Sequence, residues 1–95
     1  MDAAALNQAL ALADAAGTVR EAAAALRTQF AGLRVVVVDA FDMRGETPAA
    51  TGLRREIYFG ASDGHCWAVT TDPARAAGLF VADRAAGLPM AGRAA

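Results

Sequence analysis

Asp63-Gly64 stands between two alternating runs, "RREIYFGAS" (54–62) and "HCWAVTT" (65–71). Asp-Gly in that setting is the strongest short-range hairpin signal, because a two-residue type I′ turn needs positive φ at both central positions. Such a turn commits the chain to an antiparallel pair, and its length decides which side chains share a face. A two-residue loop sets Ser62 opposite His65, Ala61 opposite Cys66, Gly60 opposite Trp67, Phe59 opposite Ala68 and Tyr58 opposite Val69. Successive strand residues point to opposite sides. Ile57, Phe59, Ala61, Cys66 and Ala68 therefore form one face, and Tyr58, Gly60, His65, Trp67 and Val69 form the other.

The same stretch, "SDGHCWAV" (62–69), holds the only His, Cys and Trp of the chain. The pairing bears directly on their chemistry. His65 and Cys66 are adjacent in sequence but fall on opposite faces, so they cannot act as a base–nucleophile pair or chelate one metal ion. Cys66, beside Ile57 and Phe59, reads as a small buried hydrophobe. Trp67 reads as an aromatic covering a residue without a side chain, and His65 as a solvated turn residue. The acids Asp39, Asp42 and Glu46 bracket a long loop without the spacing of a calcium-binding loop. His65, Cys66, Asp39, Asp42 and Glu46 are thus weak ligand candidates, and no catalytic residue, metal site or cofactor is expected.

Upstream, Leu6, Ala9, Leu10 and Ala13 make one helical stripe within residues 3–16. Gly17 is expected to supply the positive φ that ends it. Thr18 with Glu21 fits a capping box, and Val19, Ala23, Leu26 and Phe30 make a second stripe ending at Gly32. This predicts an αα-hairpin. The pair also resembles a helix-turn-helix superficially, but its second helix has "AAAAL" at its centre, with nothing to read a groove. "LRVVVVD" (33–39) is apolar on both faces, the mark of an interior or doubly covered strand. Residues 40–53 have no clean period, and a loop of that length in so small a domain is either mobile or functional. Asp72 or Thr71 with Pro73 predicts a short helix ending at Gly78. "LFVAD" (79–83) is expected to add a strand at the sheet edge.

Ninety-five residues with a net charge of −1 make one domain without the basic footprint of a nucleic-acid or anionic-membrane binder. A single Cys excludes an internal disulfide framework. The N-terminal stretch, with Asp2 and Asp14 and no basic start, reads as neither signal peptide nor membrane span, so a cytoplasmic location is expected. The expected fold is α+β: an N-terminal αα-hairpin on a three- to four-stranded, mainly antiparallel sheet with a short C-terminal helix. Residues 1–83 form the domain and 84–95 a flexible tail.

The run "GHCWAVTTDPARAAGLFVAD" (64–83) resembles a small uncharacterised proteobacterial family encoded among nitrogen-fixation genes. Gly64, His65, Cys66, Ala68, Thr70, Asp72 and Gly78 carry the resemblance, which spans residues 3–83. The loop "DAFDMRGETPAATG" is longer than the family's acidic loop. The resemblance implies a setting in nitrogenase maturation or protection, with a protein partner there, and no catalytic residues. Two function classes follow. The first is a non-catalytic accessory or interaction domain, expected as a homodimer through Tyr58, Trp67 and Val69, because one αα-hairpin covers only one sheet face. The alternative is a small metal- or cofactor-binding protein or enzyme using His65 or Cys66 with the 39–46 loop.

Overall fold

In the computed structural model, residues 1–84 are described. Two helices come first. Asp2 caps α1 (Ala3–Ala15), its carboxylate accepting from Ala5 N at 2.8 Å. Thr18 caps α2 (Val19–Gln29), its hydroxyl accepting from Glu21 N at 3.1 Å, so the forward half of the expected capping box is present. The helices meet each other and the sheet through Ala9, Ala13, Ala22 and Ala23, all fully buried. Such small contacts let the backbones approach closely, and the volume beneath is filled by Leu26, Ile57, Leu79 and Val81. That layer is the main core.

The strands are β1 (Arg34–Val37), β2 (Ala50–Thr51), β3 (Arg55–Ser62), β4 (Trp67–Thr70) and β5 (Gly78–Asp83). They form one mixed five-stranded sheet in the order β1-β5-β3-β2, with β4 also paired to β3. β5 lies antiparallel along one side of β3, from Arg55↔Asp83 to Gly60↔Gly78. β2 and β4 share the other side, at opposite ends. β1 runs parallel to β5. The architecture is thus α+β with an αα-hairpin on a sheet, as expected, but with five strands and a parallel pair.

Several local expectations are corrected. "LRVVVVD" is an edge strand, not an interior one: β1 pairs only with β5, and Val36 and Val37 are each 36% exposed. "LFVAD", expected at the edge, is interior. With β2 and β4 filling one side of β3, the chain crosses the end of β3 and inserts β5 on its free side. That crossing uses a single 3-10 turn, Pro73–Arg75, capped by Asp72. It replaces the short C-terminal helix that was expected. Residues 85–95, most of the expected 84–95 tail, lie outside the described residues. Arg84 does not hang free: its amide donates to Arg54 O and its guanidinium to Gly52 O, both at 2.9 Å.

The end of α1 departs from expectation for an instructive reason. Gly17 does not take positive φ, which among the described residues occurs only at Gly45 and Gly64. One carbonyl of the last turn and two just past the helix accept from the sheet instead. Arg54 donates to Asp14 O and Gly17 O, and Arg55 donates to Ala16 O at 3.0 Å. In return the Asp14 carboxylate accepts the backbone N–H groups of Leu53, Arg54 and Arg55 at 2.9–3.0 Å. Arg55 is 3% exposed and lies 3.3 Å from the Asp83 carboxylate. Two guanidiniums and one carboxylate thereby lock the β2–β3 turn to the helix terminus, a substitute for the glycine C-cap.

Candidate functional site on the open half of the outer sheet face

The β3–β4 hairpin exists, but its register is shifted. Ser62 pairs with Trp67, so the loop is the four residues Asp63–Cys66. Gly64 has φ +97° while Asp63 stays at negative φ, which rules out the type I′ turn. Asp63 uses its carboxylate instead, accepting from His65 N and Cys66 N at 2.9 Å each. These two backbone donors hold its pKa below the ordinary value. A shift of two residues preserves the alternation. The Tyr58/Gly60/Trp67/Val69 face and the Ile57/Phe59/Ala61/Ala68 face therefore keep their members. What changes is the fate of the two loop residues.

Cys66 leaves the core and is exposed, as is His65. Its thiol borders a small recess of about 160 Å³, together with Asp63 and Arg75. Native and denatured protein should therefore react with a thiol reagent at rates within about tenfold of each other, since access controls the native rate. Protection by a factor of about 100 or more in the native state would return this thiol to the interior.

On the outer face, rows of side chains run across the strands. One row reads Arg34–Gly78–Gly60–Val69, and the next Val36–Phe80–Tyr58. Gly78 and Gly60 are direct partners on the two central strands, so together they leave a trough without side chains. The Trp67 indole lies in it. A Cβ on Gly60 would stand 3.2 Å from Trp67 Cε3, and one on Gly78 would stand 3.1 Å from Trp67 Cζ3. The indole meets Phe80 edge-on, with centroids 6.4 Å apart at 66°. It remains 40% exposed, next to half-buried Phe80 and Val69 and exposed Val36. The sequence pairing of Trp67 with Gly60 located half of this device. It missed Gly78, which is brought alongside only by β5, and Val36, which reaches this face only through the β1–β5 pairing.

The other half of the face is covered. Successive turns fold residues 40–46 onto it (Met43 N to Ala40 O, Glu46 N to Met43 O), and Met43 packs against Tyr58 and Ala82. Tyr58, expected as an exposed interface residue, is 3% exposed under this loop. Its hydroxyl donates to Glu56 at 3.0 Å. Burial first, then this bond and the charges of Glu56 and Glu46, push its pKa up to about 12. The loop whose role was open is thus the cover of a second small core, and it also carries exposed Phe41 with the Arg44 guanidinium 4.1 Å over its ring.

The remaining candidates are scattered. Asp39 accepts from Phe41 N and borders an open cleft of about 470 Å³ with Val19, Val37 and Asp83. Asp42 and Glu46 are exposed on the loop. These acids lie at the Val37/Val81 end of the sheet, whereas His65 and Cys66 lie beyond Ser62. Five strand residues, about 17 Å, separate the two groups. Among the described residues no three His, Cys, Asp or Glu side chains gather to hold a metal, and no helix is long and apolar enough to cross a membrane. The chain matches no family model, and comparisons with curated proteins and with solved structures gave no match.

Proposed function

We propose that this chain is a non-catalytic accessory module that docks a protein partner on the Trp67 floor. The observation that carries the reading is the indole laid across the Gly60–Gly78 pair, immobilised on one side and open on the other. An aromatic already held in one orientation loses little conformational freedom on binding, and Trp at an interface centre is a frequent energetic anchor. The scattered acids, His65 and Cys66 supply no convergent constellation, which an enzyme or metal carrier needs.

The nitrogen-fixation setting rests on the resemblance over residues 3–83, and the cytoplasmic location on the N-terminal stretch without a basic start. The motif residues of that resemblance have separate local roles. Gly64 makes the loop, Thr70 Oγ1 accepts from Asp72 N, Asp72 caps the 3-10 turn, and Gly78 admits the indole.

A photo-crosslinking amino acid at position 36, in cells growing by nitrogen fixation, should give discrete protein adducts, a second copy of this chain counting as one. The same group at Ala24, exposed on α2, should give none. Absence of adducts from position 36, or equal yields from both positions, would reject the floor as a docking surface.

A further inference from the structure

We propose that Asp63–Gly64 is a site of covalent self-modification, isoaspartate formation, which the folded hairpin loop holds shut and loop opening releases. The chemistry needs only the chain and water. The Gly64 backbone nitrogen attacks Asp63 Cγ. Formation of that N–C bond closes a five-membered succinimide, while the carboxyl gives up a hydroxyl and the amide its proton, together as one water. Water then adds back at one of the ring carbonyls and breaks its bond to nitrogen. Cleavage at Cγ restores aspartate. Cleavage at the Asp63 backbone carbonyl leaves the chain running through the side chain, an isoaspartyl link of unchanged mass.

Sequence and loop both select this position. Of the ten acidic residues, Asp63 alone is followed by glycine. A side chain on the following residue crowds the attacking nitrogen, and glycine has none. Nothing lies within 4 Å of where a Gly64 Cβ would stand, and residues 62–66 are exposed, so water has free access.

The folded loop engages each group that the reaction must free. Asp63 Oδ1 accepts from His65 N and Cys66 N at 2.9 Å each, which fixes the carboxyl towards the far side of the loop. Gly64 N, the attacking nitrogen, donates to Ser62 Oγ at 3.1 Å. Asp63 N donates to Cys66 O at 3.3 Å and closes the turn. The Cys66 and His65 amides also keep the carboxyl ionised by lowering its pKa, whereas the departing hydroxyl must come from the protonated acid. Loss of these bonds removes every restraint together.

The product does not rebuild the loop. The isoaspartyl link adds one methylene to the backbone between residues 63 and 64. It also leaves the free carboxylate on Cα, away from the two amides it served. The loop that closes the Ser62↔Trp67 pair then no longer fits. A transient opening of the hairpin is thereby recorded in the covalent chain.

The test follows isoaspartate during incubation of the full chain at neutral pH, folded in buffer and unfolded in urea. Enzymatic methylation of isoaspartyl carboxyls reads it in the tryptic peptide Glu56–Arg75. The other aspartate of that peptide, Asp72, precedes Pro73, whose nitrogen has no proton to give. The unfolded chain should accumulate isoaspartate about tenfold faster than the folded one, or more, since amide bonds to a charged acceptor must first break in the fold. His65→Pro, which deletes one of those donors, should raise the folded rate by about tenfold. Ser62→Ala, which frees the Gly64 amide, should raise it by about threefold. Both variants should match the wild type in urea, and their melting curves check that they fold. No isoaspartate in the unfolded chain overturns the site. Equal folded and unfolded rates, or folded variants no faster than the wild type, overturn the gating by the loop.

Discussion

Asp14→Ala should cost about 2 kcal/mol and lower the melting temperature by roughly 8–16 °C, measured by thermal unfolding followed by circular dichroism. The carboxylate accepts three successive backbone N–H groups, Leu53 to Arg55, and its loss strands all three at once. Water reaches the Leu53 and Arg54 amides more easily than that of Arg55, which keeps the cost below three buried bonds. Asp14→Asn, which retains one carbonyl oxygen, should lose about half as much. An unchanged melting curve for Asp14→Ala would mean that the β2–β3 turn is held without this clamp. The pH dependence follows with a definite sign. Burial raises the Asp14 pKa, but the three amides and the Arg55 charge outweigh it, so the folded value lies below 3.8. The stabilisation is therefore complete above the unfolded value and is lost as pH falls through the folded one. Asp14→Asn should flatten stability specifically on that acid limb.

Gly78→Ala is expected to be the most damaging small substitution in the sheet, costing about 3 kcal/mol or abolishing soluble expression. Its Cβ would stand 2.6 Å from the backbone oxygen of Arg34, and backbone inside a β1–β5 pairing cannot give way cheaply. Gly60→Ala is the informative contrast. The atoms nearest its Cβ would be ring atoms, Phe80 Cζ at 3.1 Å and Trp67 Cε3 at 3.2 Å. Those rings can tilt, so the cost should be about 1 kcal/mol, with the indole lifted and its emission shifted to the red. Equal stability losses in the two variants would mean that the trough is not asymmetric in the way described. Together they separate the seat of Trp67 from the pairing of the strands: Gly60→Ala should displace the indole while leaving the fold in place.

How much of this was legible follows from the range of each interaction. Thr18 as the start of a helix, Asp63-Gly64 as a hairpin, and the alternation that puts Tyr58, Gly60, Trp67 and Val69 on one side are all written within a few residues. Each depends on local hydrogen bonds or on the two-residue period of a strand, and each was found. Even the wrong turn type did no harm to the faces, because the loop grew by a pair of residues and a shift of two preserves side-chain direction. The same shift moved Cys66 out of the core, since burial depends on where the pairing stops as well as on which way a residue points.

What the chain could not announce locally was decided by strand order. "VVVV" has the composition of an interior strand and lies at an edge, while "LFVAD" is central, because β2 and β4 together occupy one side of β3. Lane assignment is a competition among strands far apart in sequence, and composition does not record its outcome. The Tyr58 half of the outer face was read as open, and it is closed by Met43 from a loop without period. The role of Asp14 depends on a turn some forty residues later, which brings it three free N–H groups. The sequence by itself determined the helices, the hairpin and the sidedness of its aromatics, because those rest on contacts between near neighbours. The tertiary structure alone decided which half of the sheet stays open around Trp67, because that depends on Gly78 and Gly60 being brought side by side from different strands and on a loop covering one end of the face and not the other.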